Sequence, residues 1–346
     1  MQISVNPRYQ SATYGEERSR ASLVLSQLLL LKSRKRWGIM YMLATVSGLF
    51  VPIGGVLSSI EDHIVSSFMT ILLQCLPLLA ATFLIITGMY VLNDLVDADL
   101  DKSSGKKRPI SSGQVTKAQA LIFVILTNAT GIILALITFN LPSIIIALTI
   151  IGIGLMYSAP KICLKDRFVF KTTSIAAASM LCLMLGSSYA FNNSYGMIQH
   201  NYNYNSVGSP NIPILVCCTY AALMSGSIIF ITSLLNDLGD VQGDKAFGRR
   251  TIPVVIGKKN TVTLTIIIAA TMIVISWISF YSLPNNIGLI SPILVSLVAS
   301  IATIKMANIL KHLNDCEFIR KQHKKSMSWH LILQSALIVG ALLFWI

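Results

Sequence analysis

Charged residues are scarce in this sequence of 346 residues, at 12% of the chain. A soluble domain carries roughly 25%. Acidic residues are fewer than basic ones, with 14 Asp and Glu against 27 Lys and Arg. Hydrophobic residues make up 54% of the chain. This composition excludes an ordinary soluble globular protein and predicts a polytopic membrane protein.

Cysteine and histidine are also few, and their positions exclude two kinds of site. The six cysteines have no metal-ligand spacing, and most lie inside apolar stretches, where a thiol acts as a small packing residue. The five histidines are scattered and form no metal or catalytic pattern. Residues 1–31 contain no obvious cleavable signal peptide. Any chemistry is therefore expected from other residue types.

Nine apolar stretches are each long enough to cross a bilayer, which takes on the order of 20 residues. They are 38–59, 66–92, 118–139, 142–160, 171–191, 212–235, 261–282, 287–310 and 328–346. The sequence therefore predicts an all-α, polytopic membrane bundle of nine transmembrane helices. A polar N-terminal tail, residues 1–35, is expected to precede one nine-helix domain, residues 36–346.

The basic residues are confined to alternate loops of this predicted bundle. Seven precede the first span, and the others lie in or beside the loops after the second, fourth, sixth and eighth spans. Because cytoplasmic loops carry the Lys and Arg excess, this predicts a cell-membrane protein with a cytoplasmic N-terminus and an outside C-terminus. The net charge of +13 then reflects topology and attraction to anionic membrane lipids, and we expect no nucleic-acid partner.

One acidic motif occurs twice in the sequence, at positions 143 residues apart. The two copies span Asn93–Lys102 and Asn236–Lys245, and each follows a long apolar run. Four predicted spans separate them, so both copies are expected on the cytoplasmic face. The chain is therefore predicted to consist of two four-helix repeats plus one final helix.

Each copy carries three aspartates at relative positions 0, 3 and 7. On a helix that turns about 100° per residue, these positions fall within about 60° of arc. Asp99 would point to the opposite side. The spacing predicts one acidic face per copy with an asparagine beside it: Asn93, Asp94, Asp97 and Asp101, and then Asn236, Asp237, Asp240 and Asp244.

Two matched carboxylate faces predict a polyanionic ligand held through divalent metal. Carboxylate oxygens are hard ligands suited to Mg²⁺, which completes its coordination shell with water and phosphate oxygens. Six carboxylates on facing surfaces would repel one another without cations. The expected ligand is a diphosphate, and Arg108 and Arg250, which follow the two copies, are predicted to contact it.

These residues resemble the motifs of the UbiA-type intramembrane prenyltransferases. Asn93–Asp101 looks like the family's NDxxDxxxD signature, Asp240–Asp244 matches its DxxxD motif, and Tyr157 and Lys161 match its YxxxK motif. The resemblance implies a helical bundle around a central cavity that holds Mg²⁺ and a prenyl diphosphate, with a lateral opening for lipidic substrates.

The resemblance also implies roles for individual residues. Tyr157 and Lys161 would contact the diphosphate or orient the acceptor. The residues expected to bind Mg²⁺ and the diphosphate are Asn93, Asp97, Asp101, Asp240 and Asp244, helped by Asp94, Asn236 and Asp237.

The expected reaction is transfer of a prenyl group from a polyprenyl diphosphate to a lipidic acceptor. The stretch 241–253 resembles the archaeal ether-lipid branch of the family, which moves geranylgeranyl onto geranylgeranylglyceryl phosphate. An aromatic quinone precursor and a chlorin are alternative acceptors. The sequence indicates no obligate protein partner.

A divalent-cation transporter is an alternative from another class, because internal repeats with intramembrane acidic residues also build transporters. Its carboxylates should lie near the bilayer midplane, whereas these lie at predicted cytoplasmic helix ends followed by basic loops. A CDP-alcohol phosphotransferase would also bind diphosphate through Asp and Mg²⁺, but the sequence lacks its Asp-Gly-x-x-Ala-Arg segment. Both observations favour the prenyltransferase.

Overall fold

The computed structural model describes residues 7–57, 72–103, 107–201, 211–282 and 287–343. Within those ranges the chain forms helices and no strands, which confirms the predicted all-α class. In this described part of the chain, a 3₁₀ turn at Leu164–Asp166 accompanies eleven α-helices. These are α1 (Pro7–Leu57), α2 (Leu76–Val96), α3 (Ala98–Ser103), α4 (Lys117–Ile137), α5 (Leu141–Ser158), α6 (Phe170–Asn201), α7 (Asn211–Ala246), α8 (Ile252–Ile256), α9 (Lys258–Ser282), α10 (Ile290–Leu310) and α11 (Cys316–Leu342).

Polar side chains fix where several of these helices begin. Thr116 and Gln119 form a reciprocal capping box at the start of α4. Asn140 caps α5, and the carboxylate of Asp315 caps α11 by accepting from the backbone N–H of Phe318. Each cap satisfies a backbone donor that the first turn of a helix leaves without a partner.

Seven helices of the described part are long and apolar enough to cross a membrane by length and composition, which makes the chain a multi-pass membrane protein. They are Leu76–Val96, Lys117–Ile137, Leu141–Ser158, Phe170–Asn192, Leu215–Ala246, Lys258–Ser282 and Ile290–Leu310. The first and ninth predicted spans fall in α1 and α11 and run partly outside the described residues. The total of nine therefore stays a prediction.

α1 is a single helix of 51 residues. It runs without a break through the predicted boundary at residue 35, so the division between tail and membrane domain does not coincide with the end of a helix. α1 packs on α2, α6, α7 and α11. Side chains of α1, α2, α6, α7 and α11 contribute to one large apolar core.

The backbones of α1 and α6 come into direct contact at two glycines. A Cβ atom added to Gly48 would lie 1.9 Å from the carbonyl oxygen of Leu183, and one added to Gly186 would lie 2.0 Å from that of Thr45. The hydroxyl of Ser187 donates to the carbonyl oxygen of Gly48 at 3.0 Å. Small residues allow this approach, which is a common way for helices to associate in membranes.

A chain of buried polar side chains connects α1, α11, α7 and α6. The hydroxyl of Ser47 donates to Oε1 of Gln334, and Nε2 of Gln334 donates to Ser225 at 2.7 Å. The hydroxyls of Ser225 and Ser179 are 2.7 Å apart. All four side chains are inaccessible to solvent, and a buried polar group needs such partners. The network therefore fixes α11 against the other three helices.

Gly48→Ala is expected to destabilise the protein, because its methyl group would meet main-chain atoms that cannot move aside. Overpacking of this kind usually costs about 1–3 kcal/mol. Gly152→Ala in α5 is the matched control, since a Cβ atom there has no neighbour within 4 Å. Thermal unfolding of both variants in detergent measures the effect. Equal stability of the two variants would contradict the close contact of α1 with α6.

Candidate active site

The first acidic motif lies at the C-terminal end of α2 and continues into α3. The backbone stays helical through the junction: the N–H of Asp97 donates to the carbonyl oxygen of Asn93 at 3.0 Å, and that of Asp101 donates to Asp97 at 2.8 Å. Asp94 and Asp101 are both 3% exposed. The motif therefore turns a buried carboxylate face toward the rest of the bundle.

Asp94 is held by two arginines from separate parts of the chain. Nε of Arg34, on α1, donates to its Oδ2 at 2.5 Å, and the other arm of the same guanidinium contacts Oδ1. Nη1 of Arg108 donates to Oδ1 of Asp94 and to Oδ2 of Asp101, both at 2.6 Å. Because removing one member of a buried ion pair leaves the other uncompensated, these arginines hold the motif against α1 and the following loop.

Asp97 is the point where three segments meet. Nζ of Lys165 donates to its Oδ1 at 2.7 Å and to Oδ1 of Asn93 at 3.4 Å. Nη2 of Arg249, which follows α7, lies 3.3 Å from the same Oδ1 of Asp97. Lys165 is 4% exposed and lies in the turn between α5 and α6. The first motif is thus joined through Asp97 to both halves of the chain.

The second acidic motif lies on the last turns of α7, and its first aspartate is the most deeply buried. Asp237 is inaccessible to solvent, and its Oδ1 accepts from Nζ of Lys171 at 2.6 Å. Its other oxygen, Oδ2, has no hydrogen-bond partner in the described part of the chain. A buried carboxylate oxygen without a partner is costly, and such an oxygen can act as a ligand for a cation.

The other two aspartates of the second motif have different surroundings. Asp240 has a partly exposed side chain and pairs with Nη2 of Arg320, on α11, at 3.0 Å. The guanidinium of Arg320 also donates to the carbonyl oxygen of Gly239 at 3.2 Å. Asp244 is buried and accepts from the hydroxyl of Thr251 at 3.1 Å. The motif is therefore anchored to α11 on one side and to the start of α8 on the other.

A left-handed glycine returns the chain after α7. Gly248 has a φ of 68°, which glycine adopts at little cost, and the N–H of Arg249 then donates to the carbonyl oxygen of Asp244 at 2.8 Å. The guanidinium of Arg249 also lies 2.9 Å from Asp166. Burial lowers the pKa of Arg249, but the carboxylates of Asp97, Asp166 and Asp244 raise it above the usual value. The side chain therefore stays charged.

Lys165, which was not among the predicted site residues, contacts the first motif. Cys163 adopts the left-handed region with a φ of 45°, and the 3₁₀ turn Leu164–Asp166 follows it. The thiol of Cys163 donates to Asp166 at 2.8 Å. Lys161 precedes this turn and is exposed, so its predicted role stays a prediction. The motif spacing gave no signal for Lys165.

The remaining predicted residues divide between the cavity and the surface. Tyr157 and Asn236 line the cavity described below. Arg250 is exposed, and Arg249 contacts the first motif instead. Asp99 has an 86% exposed side chain that pairs with Lys117 at 2.9 Å, in agreement with the helical spacing that set it apart.

Two adjoining cavities lie beside the motifs, and we call them the apolar arm and the polar arm. The apolar arm has a volume of about 100 Å³ and lies among α1, α2, α5 and α6. The polar arm has a volume of about 190 Å³ and also reaches α7 and α11. Side chains found only in the apolar arm include Tyr41, Ile86, Met89, Ile150, Ile153 and Ala178. Side chains found only in the polar arm include Arg34, Arg108, Lys171, Thr232, Asn236 and His323. Both arms share Tyr90, Asn93, Tyr157 and Ile175.

Fold and site together define a multi-pass membrane protein whose adjoining cavities suit a ligand with an anionic head and an apolar chain. The model of the UbiA prenyltransferase family matches residues 42–332. The chain therefore belongs to the UbiA prenyltransferase family, as its motifs predict.

Curated relatives of known name agree with this assignment. Digeranylgeranylglyceryl phosphate synthase of Saccharolobus solfataricus is 26% identical over 73% of this chain and 82% of its own length. The enzyme of the same name from Methanosphaera stadtmanae is 24% identical over 72% and 82%. A chloroplastic coumarin 8-geranyltransferase from Citrus limon is 26% identical over 50% and 40%.

Solved structures share the fold at low sequence identity. A UbiA homologue from Archaeoglobus fulgidus, bound to GPP and Mg²⁺, superposes with a TM-score of 0.58 at 17% identity, over 90% of this chain and 99% of that one. A UbiA homologue from Aeropyrum pernix gives a TM-score of 0.63 at 15% identity, over 88% and 98%.

Lys165→Ala is expected to weaken Mg²⁺-dependent binding of a prenyl diphosphate roughly tenfold, because Asp97 would lose a charged hydrogen bond. Lys117→Ala is the matched control, since Lys117 is exposed and pairs with Asp99, and it is expected to bind nearly as well as the parent protein; Lys161→Ala is measured beside it to test the role predicted from the YxxxK spacing. Equilibrium binding of a labelled prenyl diphosphate to the purified protein measures all three. A large loss in Lys161→Ala with none in Lys165→Ala would instead support the role predicted from the YxxxK spacing.

Proposed function

We propose that this chain transfers a geranylgeranyl group from geranylgeranyl diphosphate to geranylgeranylglyceryl phosphate, with Mg²⁺-assisted loss of diphosphate. The main observation behind the proposal is that Arg249 joins the two acidic motifs. This contact lies near the adjoining apolar and polar cavities. The names of the archaeal relatives support the acceptor. The Citrus geranyltransferase keeps an aromatic acceptor as a second candidate.

The proposed Mg²⁺ ligands are Asn93, Asp97, Asp101, Asp240 and Asp244. Within the described ranges no three acidic, His or Cys side chains converge as a metal site, and Arg108 bridges Asp94 and Asp101. Mg²⁺ usually needs only one or two protein carboxylates, and the all-oxygen donor set suits it, as does the partnerless Oδ2 of Asp237. When bound, Mg²⁺ supplies positive charge that stabilises the departing diphosphate.

The basic side chains of the site are proposed to bind the phosphate oxygens. Arg34, Arg108 and Lys171 line the polar arm, and each is oriented by an aspartate. This gives Asp94 and Asp237 the helper role that their position in the motifs predicts. Fixed cations at the point where negative charge develops are an effective way to stabilise a leaving group.

The reaction needs no covalent attachment to the protein. The allylic C1–O bond breaks and its electron pair leaves with the diphosphate, while the acceptor hydroxyl oxygen bonds to C1 and its proton passes to an oxygen of the departing diphosphate. The apolar arm is proposed to hold the part of the prenyl chain next to C1 and to keep water from the cation-like carbon. Tyr157, shared by both arms, is proposed to orient the diphosphate and the acceptor.

The proposed architecture is nine spans within residues 36–346, built as two four-helix repeats plus α11, with a cytoplasmic N-terminus. Matching contacts support the repeat. Arg34, on α1, pairs with Asp94, and Lys171, on α6, pairs with Asp237. The first helix of each proposed repeat thus supplies the cation for the same aspartate of each motif copy.

Purified protein incubated with labelled geranylgeranyl diphosphate, Mg²⁺ and geranylgeranylglyceryl phosphate is expected to form the doubly prenylated lipid, and EDTA is expected to abolish it. Thin-layer chromatography or mass spectrometry detects the product. Parallel reactions contain an aromatic quinone precursor or a chlorin. Transfer only to one of those acceptors would replace the proposed substrate, and no transfer to any acceptor would refute the enzyme proposal.

Asp97→Asn and Asp240→Asn are each expected to reduce transfer by at least about 100-fold, because each removes a charged ligand of the proposed Mg²⁺–diphosphate site. Asp99→Asn is the matched control, since its carboxylate is exposed and pairs with Lys117. Initial rates at saturating Mg²⁺ measure the effect. An Asp99→Asn variant as inactive as the other two would show that the acidic face is wrongly assigned.

A further inference from the structure

The start of α11 forms a wall of the polar arm, and this wall belongs to neither acidic motif. Arg320, His323 and Met327 follow one another at spacings of three and four residues, so they lie along one face of the helix. Arg320 contacts Gly239 and Asp240. His323 and Met327 line the polar arm.

The two arms differ in the helices that line them. The apolar arm is lined from α1, α2, α5 and α6 alone. Only the polar arm reaches α7 and α11, where it meets Thr232, Ser233, Asn236 and His323. If the prenyl diphosphate lies between the apolar arm and Arg34, Arg108 and Lys171, the side of the polar arm lined by α7 and α11 is the space left for a second substrate with a hydrophilic head.

His323 differs from the basic side chains that share the arm with it. Arg34, Arg108 and Lys171 are each engaged by an aspartate. The imidazole of His323 makes no hydrogen bond to any residue that the structure describes, and the side chain is half-buried. Its ring nitrogens are therefore available to a ligand in the arm.

Burial of His323 favours a neutral imidazole. Burial lowers the pKa of His323, and the carboxylate of Asp240 offsets this only in part. A neutral imidazole can accept a hydrogen bond from a hydroxyl group, which an arginine or lysine cannot.

We propose that His323 binds the hydroxyl of an anionic, phosphate-bearing acceptor lipid in the polar arm. This inference rests on the proposed function, since it assigns the second substrate of the same site. The imidazole accepts a hydrogen bond from the acceptor hydroxyl and orients its oxygen toward C1 of the prenyl diphosphate, whose phosphates are proposed to meet Arg34, Arg108 and Lys171. His323 is thereby a residue that selects an alcohol acceptor.

His323→Ala is expected to raise the KM for geranylgeranylglyceryl phosphate about fivefold to tenfold, the effect of one lost hydrogen bond, and to leave the KM for geranylgeranyl diphosphate unchanged. His323→Asn, which keeps a hydrogen-bond acceptor, is expected to restore part of the affinity. His312→Ala is the matched control, because His312 is exposed on the loop before α11.

Two results would overturn the inference. An unchanged acceptor KM in His323→Ala would remove His323 from the acceptor site, and an equal rise of both KM values would indicate a structural role. Equilibrium binding of geranylgeranylglyceryl phosphate to the parent protein and to His323→Ala separates this test from the proposed function. If the parent protein binds the lipid without transferring a prenyl group to it, the proposed function fails, while the loss of binding in His323→Ala still decides the role of His323.

Discussion

Pairing of carboxylates with basic side chains at the ends of apolar helices is the interaction on which the rest of this structure depends. Charged groups beside a membrane are costly unless they are paired. Each pair also joins segments far apart in sequence: Arg34 reaches the first motif from α1, and Arg320 reaches the second from α11. Neutralising the acidic motifs and assembling the tertiary structure are therefore the same physical event.

Close helix packing places these basic side chains where they are needed. Arg34 and Gly48 lie on the same helix, about 21 Å apart at 1.5 Å per residue. The contact of Gly48 with α6 therefore sets the depth at which the guanidinium emerges. In the same way, the hydrogen bonds of Gln334 fix α11 deep in the bundle and so position the start of that helix beside α7. Uncharged contacts inside the bundle thus control the geometry of a charged site at its edge.

Periodic and local features were predictable from the sequence, and contacts between distant segments were not. Helical spacing alone grouped Asp94 with Asp101 and set Asp99 apart, because both follow from the geometry of one helix. Lys165 escaped prediction because a left-handed residue, Cys163, redirects the chain just before it. Arg34 and Lys171 escaped for a different reason: Lys and Arg near span ends are expected from topology alone, so only tertiary structure distinguishes those that bind aspartate.

The turn at Gly248 affects how the two proposed repeats contact each other. Arg249 is the side chain through which the loop after the second motif reaches Asp97 of the first, and its approach follows a left-handed backbone at the preceding residue. For a residue with a side chain, that conformation costs roughly 1–2 kcal/mol, which is comparable to one net hydrogen bond. The approach of Arg249 to Asp97 thus follows a residue that has no side chain, and main-chain handedness at one position bears on whether the two proposed repeats can form a single site.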